Sequence, residues 1–97
     1  MNKIISYIGF AIKANKVIVG QSAIKRTIKP IQLVLVCSTA SDNLKDLAKN
    51  VAIKHNCTYI VLQEVLGDLT HLKDVKIIAI TDENLSAAIK ANYKIDN

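Results

Sequence analysis

Hydrophobic positions along the chain alternate between helical and strand-like spacing. The N-terminal segment predicts a helix over residues 4–13, because apolar residues recur there at intervals of three and four. Its inward stripe comprises Ile4, Ile5, Ile8, Ala11 and Ile12. A second helix, capped by Ser41 or a neighbour, has an inward stripe of Leu44, Leu47, Ala48, Val51 and Ala52. Each stripe predicts an amphipathic helix with one buried face.

Short apolar runs between these helices predict strands over residues 17–19, 31–36, 58–62 and 75–80. The first is closed by Gly20. The second is almost continuously apolar, which is typical of a strand covered on both faces.

Three further helices complete the pattern. One is predicted over residues 22–29, with Ile24 and Ile28 inward and Pro30 ending it. A short helix is predicted over 64–72. The last helix is capped by Thr81 or Asp82, and its inward residues are Leu85, Ala88 and Ile89. Asn56 is expected in the left-handed conformation that ends the helix before it.

The predicted order is α-β-α-β-α-β-α-β-α. Alternating helices and strands predict a three-layer α/β/α sandwich, with helices on both faces of one sheet. The alternation leaves the strand order open, and a fold of this kind does not by itself define a function.

Composition places the chain among soluble single domains. With 97 residues, of which 51% are apolar, it can bury a core without disulfides or a metal. No apolar run approaches the roughly 18 residues of a membrane span, and the apolar N-terminus lacks a signal-peptide cleavage site. Cys37 and Cys57 form no CxxC pair, so we expect reduced, buried thiols in a cytoplasmic protein.

Charge is distributed unevenly along the chain. The formal net charge is +5, yet residues 1–41 contain six basic residues and no acidic one. The rest of the chain has seven basic and eight acidic residues. This asymmetry indicates an anionic partner, with nucleic acid as the first candidate. The alternative is a solvated basic face that only aids solubility.

Residues suited to catalysis are sparse. His55 lies at a polar helix end and is expected to be solvated, while His71 lies in an apolar-rich loop. Cys37 follows a buried strand and is expected to be a packed thiol. The spacing of Cys37, His55, Cys57 and His71 matches no zinc pattern, and glycine-rich phosphate loops are absent. We therefore expect no enzyme activity, no cofactor and no metal.

The strongest local feature is the turn within residues 16–29, where a short strand leads through Gly20 into a helix. Backbone N–H groups at a helix N-terminus bind phosphate readily, and Gln21 and Ser22 offer hydrogen bonds to bases or phosphates. The cations expected at this surface are Lys13, Lys16, Lys25, Arg26 and Lys29. The alternative interpretation is a capped amphipathic helix with a basic solvent face.

Four segments resemble blocks of one known family. Residues 9–20, GFAIKANKVIVG, resemble its opening G-[LF]-A-x-[KR]-A-x-K-[LV]-x-x-G. Residues 33–43 resemble a strand followed by D-A-S-x-N, residues 66–67 resemble its L-G pair, and residues 77–85 resemble V-A-I-T-D-x-x-[LF]. The family is that of ribosomal proteins L-seven-Ae and L-thirty-e, and the most similar type is its short bacterial paralogue.

The resemblance implies a mixed four-stranded sheet and a single RNA-binding domain over residues 1–97. It also implies association with the ribosome or another structured RNA. Together with the sparse catalytic residues and the absence of a membrane-length apolar run, we expect a non-catalytic monomer that does not bind membranes. The family binds kink-turn RNA, a duplex bent sharply at tandem sheared G·A pairs. The run that reads those pairs would extend from Gly20 to Arg26. An apolar loop over 66–74 would cover a flipped-out base, with contacts from Leu66, Gly67, Leu69 and Leu72.

Departures from the family pattern weaken the expected specificity. Ser22 and Ala23 stand where the family has Asn and Glu, while Arg26 retains the positive charge. Thr39, Asp68 and His71 also differ from the usual residues. Each lost base-edge contact costs on the order of 1–3 kcal/mol of discrimination, whereas phosphate contacts remain. General RNA binding is therefore favoured over strict specificity for kink-turn RNA.

Two alternatives to this function stay open. One is a protein-interaction module of the same fold, docking a partner through Leu66, Leu69 and Leu72. The other is a substrate-recognition domain of an RNA-modifying system.

Overall fold

The computed structural model describes residues 3–62 and 75–95. The elements in chain order are α1 (Lys3–Lys13), β1 (Val17–Val19), α2 (Gln21–Arg26), β2 (Leu33–Cys37), α3 (Asp42–Lys54), β3 (Thr58–Leu62), β4 (Ile77–Ile80) and α4 (Glu83–Ile95). The helix predicted over 64–72 lies outside the described residues. Within them, no helix has the length and apolar content needed to cross a membrane.

The four strands form one mixed sheet in the order β1-β4-β2-β3. β4 is antiparallel to both β1 and β2, while β3 is parallel to β2. Val17 and Leu33 both pair with Ile80, and Leu33 also pairs with Thr58. The starts of β1, β2 and β3 therefore lie at one end of the sheet, which we call the Lys16 end. The opposite end, where β1 leads into α2, is the Gly20 end.

Alternate side chains of the strands enter two hydrophobic clusters, one on each face of the sheet. One cluster joins the strands to α1 and α4, through Ile8 and Ile89 among others. The other joins them to α2 and α3, through Ile24 and Val51 among others. Every side chain of β2 and β4 is buried. This arrangement confirms the α/β/α sandwich and the strand predicted to be covered on both faces.

Helix ends follow the predicted capping chemistry. The Ser41 hydroxyl accepts a hydrogen bond from the Leu44 N–H at 3.2 Å, and the Asp82 carboxylate accepts one from the Leu85 N–H at 2.8 Å. Asn56 has φ 54° and follows α3, as predicted. Of the two candidate caps for α4, Asp82 therefore takes the role. The Thr81 hydroxyl instead donates to the Lys16 carbonyl at 3.1 Å.

Two predicted inward positions, Ile28 and Ile5, are wrong. Helix α2 ends at Arg26, and Ile28 is 98% exposed rather than buried. Thr27 is extended, and its hydroxyl accepts the Lys29 N–H at 3.1 Å. This local side-chain hydrogen bond competes with continuation of the helix. Ile31 provides the buried side chain instead.

The stripe of α1 is also narrower than predicted. Ile4, Ile8 and Ala11 are buried and Ile12 packs against the same cluster, but Ile5 is 39% exposed. Two strands also differ from the prediction in their bounds, since β2 is Leu33–Cys37 rather than 31–36 and β4 begins at Ile77 rather than at residue 75.

Candidate nucleic-acid interface

Gly20 joins β1 directly to α2. Its φ is 87° and its ψ is 153°, a backbone conformation that residues with a Cβ rarely adopt. Its N–H donates to the Ile77 carbonyl at 3.1 Å, and its carbonyl accepts the Ile24 N–H at 3.1 Å. The backbone hydrogen bonding between β1 and β4 thus extends to Gly20. The Gly20 N–H, expected to be available at this turn, is therefore already used within the fold.

Helix α2 presents most of its side chains to solvent. Ile24 is buried and anchors the helix to the sheet, whereas Gln21, Ser22, Lys25 and Arg26 are exposed. The Arg26 Nε donates to the Ser22 carbonyl at 3.2 Å. This bond uses one of the five guanidinium donors and folds the Arg26 side chain back along α2 toward Ser22.

The predicted cations do not converge on one point. The Lys16 N–H donates to the Ala11 carbonyl at 2.8 Å, and the Lys16 carbonyl accepts the Thr81 N–H at 2.9 Å, which places Lys16 with Lys13 at the Lys16 end. A strand advances about 3.3 Å per residue, so Lys16 and Gly20 are roughly 13 Å apart. Lys29 also lies toward the Lys16 end, since nearby Gln32 donates to the Ile80 carbonyl. The basic residues therefore form an extended surface rather than one phosphate pocket.

Several chain segments meet near the turn at the Gly20 end. The Ser38 N–H donates to the Leu62 carbonyl at 2.7 Å, and the Cys37 N–H donates to the Lys76 carbonyl at 2.8 Å. The exposed Lys76 is a basic residue at this end that the sequence motifs did not identify. The other predicted contacts, Leu66, Gly67, Leu69 and Leu72, lie outside the described residues, as does His71.

A groove of about 540 Å³ separates α2 from α3. Gln21 and Lys25 line one wall, and Asn43, Asp46 and Asn50 line the other. The α3 residues were not predicted as site residues. The sequence pattern could have identified them, because these three residues recur at intervals of three and four and so form a polar stripe along the helix. This stripe lies beside the apolar stripe used to predict the helix. The groove offers amide, carboxylate and ammonium groups next to the Gly20 turn.

The two cysteines lie on opposite faces of the sheet. Cys37 is buried in the cluster with α1 and α4, as predicted. Cys57 was also predicted to be buried, but it is only partly buried, at the edge of the cluster with α2 and α3. They therefore cannot form a disulfide with each other or share one metal ion. Burial raises the pKa of the Cys57 thiol, and the positive charge of Lys90 partly opposes that rise.

His55 has a structural role that differs from the predicted solvated histidine. It caps the C-terminus of α3 and is only half-buried. Its Nδ1 accepts the Ile31 N–H at 3.3 Å. The imidazole thereby holds the segment that enters β2.

Comparison with known proteins identifies a relative in fold only. No family model matches the chain, and no curated protein matches it. A solved structure of a protein of unknown function from Bacillus halodurans is similar, with a TM-score of 0.81 over the whole of both chains. The two sequences are 20% identical, a level at which the similarity shows the fold alone.

Proposed function

We propose that this chain is a non-catalytic, cytoplasmic RNA-binding protein, associated with the ribosome or another structured RNA. It recognises a kink-turn or similar RNA through residues 16–29. The observation that carries the proposal is the exposed basic side of α2 beside the Gly20 turn, within a stretch of 41 residues that has no acid.

Charge and exposure support phosphate contacts along this surface. Lys13, Lys16, Lys25, Arg26 and Lys29 are all exposed. Contacts of this type release counterions from the nucleic acid, so affinity falls steeply as salt concentration rises. Their spread over the length of β1 and α2 suits a backbone that runs across the surface better than a single small anion.

The resemblance to the ribosomal L-seven-Ae family supports a structured RNA as the target. Arg26 occupies the position of the family's basic residue, and the bond from its Nε to the Ser22 carbonyl folds it back toward the first turn of α2. Its planar guanidinium suits a guanine edge or a phosphate.

Specificity is proposed to be weaker than in the typical family member. The Ser22 hydroxyl provides a hydrogen bond to a base edge, but Ala23 provides none from its side chain. Gln21, exposed beside the groove between α2 and α3, supplies an additional amide. The preference for sheared G·A pairs therefore depends on Gln21, Ser22 and Arg26 together.

The test is a fluorescence titration with a kink-turn RNA and with a matched RNA that lacks the G·A pairs, at two salt concentrations. Tighter binding of the intact kink-turn at both concentrations supports the proposal. Equal, salt-sensitive binding of both RNAs would mean that only phosphate contacts operate. Absence of binding to either RNA would overturn the proposal and favour the protein-interaction module.

Arg26→Glu tests the surface itself. We expect RNA affinity to fall at least about tenfold and the salt slope to decrease, because a phosphate contact is replaced by repulsion. Lys90→Glu is the matched control, since it makes the same charge change on α4, away from residues 16–29. Equal losses in the two variants would show that only net charge matters and would contradict the assignment.

A further inference from the structure

The groove between α2 and α3 combines an apolar base with polar walls. Leu44 and Leu47 line it and are half-buried, because they pack against the hydrophobic cluster that joins α2 and α3 to the sheet. Its other described lining residues are Gln21, Lys25, Ser41, Asn43, Asp46 and Asn50. A flat ring with apolar faces and polar edges matches a groove of this kind.

The polar side chains of the α3 wall are available to a ligand. Asn43, Asp46 and Asn50 are exposed, and the described part of the chain provides none of their side chains with a hydrogen bond or an ion pair. The same is true of Lys25 on the opposite wall. At 1.5 Å per residue, Asn43 and Asn50 are about 10 Å apart along the helix axis, with Asp46 between them.

Asp46 distinguishes this groove from a phosphate site. Its carboxylate is the one acidic group among the described lining residues, and it repels a phosphate. Because a carboxylate only accepts hydrogen bonds, its ligand must present donors. Guanine alone among the four RNA bases has two adjacent donors, N1–H and N2–H, on its Watson–Crick edge, and these match the two oxygens of a carboxylate. Adenine and cytosine place an acceptor nitrogen beside their amino group, and uracil has a single N–H.

The neighbours of Asp46 complement the rest of a guanine base. Guanine presents two acceptors, O6 and N7, and Lys25 and the amides of Asn43 and Asn50 supply donors. Asn43 precedes Asp46 by three residues and Asn50 follows it by four, so the three side chains share one face of α3.

The groove continues toward the C-terminal end of α3 with a different charge. Lys25, Leu47 and Asn50 also line a second hollow of about 210 Å³, to which Lys54 contributes. No acidic residue is among the described residues that line this hollow. Lys25 and Lys54 therefore favour a phosphate at this end, whereas Asp46, roughly 12 Å from Lys54 along the helix, favours a base at the other.

We propose that this groove binds an unpaired guanosine of an RNA strand, with the base at Asp46 and the adjoining phosphate between Lys25 and Lys54. The inference rests on the proposed RNA-binding function and adds a base-reading site to it. The base must be unpaired, because pairing in a duplex occupies the Watson–Crick edge that Asp46 would contact.

The binding test uses short, fluorescent oligouridines that carry one central guanosine, inosine or adenosine. These strands cannot form a kink-turn, so they measure the groove separately from kink-turn recognition. Inosine differs from guanosine only in lacking the N2 amino group. We expect the guanosine strand to bind at least about fivefold more tightly than either of the others, because only guanosine satisfies both oxygens of Asp46.

Asp46→Asn tests the base-reading group. It should reduce the preference for guanosine over inosine to less than about twofold, since an amide has one acceptor oxygen. Affinity for the adenosine strand should stay constant or rise, because a negative charge is removed, and this readout also shows that the variant is folded. Asp42→Asn makes the same charge change in the first turn of α3, outside the lining of the groove, and should keep the preference.

Lys54→Gln tests the phosphate end. It should weaken binding of all three strands by the same factor and reduce the slope of log affinity against log salt by about 0.7, the value for one phosphate contact on a single strand. The preference for guanosine should remain. Lys49→Gln, on α3 but outside the lining of both hollows, should change the slope less.

Two results would overturn the inference. One is equal affinity of the unmodified protein for the guanosine and inosine strands. The other is a loss of preference in Asp42→Asn as large as in Asp46→Asn. Titration of a kink-turn RNA alongside separates the two proposals: kink-turn binding without a guanosine preference rejects the groove site alone, whereas absence of binding to every RNA rejects the proposed function as well.

Discussion

Helix α2 and strand β2 are neighbours along the chain, but they bury their side chains to very different extents. All five residues of β2 are fully buried, whereas in α2 only Ile24 is buried and four of the other residues are exposed. β2 lies between two strands and beneath helices on both faces. α2 contacts the rest of the protein on one side.

This difference separates the positions that maintain the fold from those that are free to meet a partner. A side chain of β2 has neighbours on all sides, so its shape contributes directly to the free energy of unfolding. An exposed side chain of α2 has few neighbours to lose. Substitutions in β2 should therefore change stability, whereas charge changes in α2 should leave stability nearly constant and alter only the RNA binding proposed above.

The largest expected effect is at the centre of β2. Leu35→Ala should lower the free energy of unfolding by roughly 2–5 kcal/mol, because it removes buried methyl groups and leaves a cavity. Urea denaturation measures this change. Leu35→Met, which conserves volume, should cost less than about 1.5 kcal/mol. A loss under about 1 kcal/mol for the alanine variant would contradict the tight packing of β2.

At the turn between β1 and α2 we expect an effect of backbone conformation alone. Gly20→Ala should cost about 1–3 kcal/mol, because the φ of 87° is unfavourable for a residue with a Cβ. No heavy atom lies within 4 Å of the added carbon, so steric contact does not contribute. Gly9→Ala is the control, since it lies inside α1 with the same open space, and it should instead stabilise by about 0.5–1 kcal/mol. Equal thermal shifts of one sign for both variants would exclude this explanation.

A smaller gain in stability is expected within the buried layers. Ser86 in α4 is 2% exposed, and its hydroxyl has no hydrogen-bond partner in the described part of the chain. Ser86→Ala should therefore raise the free energy of unfolding by about 1 kcal/mol, because an unsatisfied buried oxygen is removed. Ser6→Ala, on the exposed side of α1, should change it by less than about 0.5 kcal/mol. Destabilisation by Ser86→Ala would show that the hydroxyl is satisfied.

The smallest change in stability is expected at Ile28, which follows α2. Ile28 is 98% exposed, so Ile28→Ser should change stability by less than about 0.5 kcal/mol. Ile31→Ala, only three residues later and at a position 2% exposed, should cost roughly 2–5 kcal/mol. Thermal melts of both variants compare the two positions directly. Similar losses would place Ile28 in the core after all.

Much of the fold could be predicted because its signals are local. The apolar run of β2, the Ser41 cap and the left-handed Asn56 each depend on a few adjacent residues, and all three predictions are confirmed. The end of α2 could not be predicted from periodicity alone. Ile28 continues the apolar spacing, but the hydrogen bond from the Lys29 N–H to the Thr27 hydroxyl favours an extended chain instead.

The candidate interface was predicted as a set of residues but not as an arrangement. The basic residues are evident in the sequence, since no acid interrupts them before Asp42. The sequence does not show that these residues are divided between the two ends of the sheet, because this division depends on the direction of β1 and on its pairing with β4. The polar wall of α3 beside Gln21 and the place of β3 at one edge of the four described strands depend in the same way on contacts between distant segments.

By itself, the sequence determined the helices and strands of the described segments, their inward faces with a few exceptions, and the basic character of the first 41 residues. These properties depend on side-chain periodicity and charge, which are local. Only the tertiary structure decided the strand order, with β3 at one edge of the described strands, and the contact of the half-buried His55 with the segment that enters β2. Each of these follows from which distant segments pair, and pairing is selected by the free energy of the whole core rather than by any one segment.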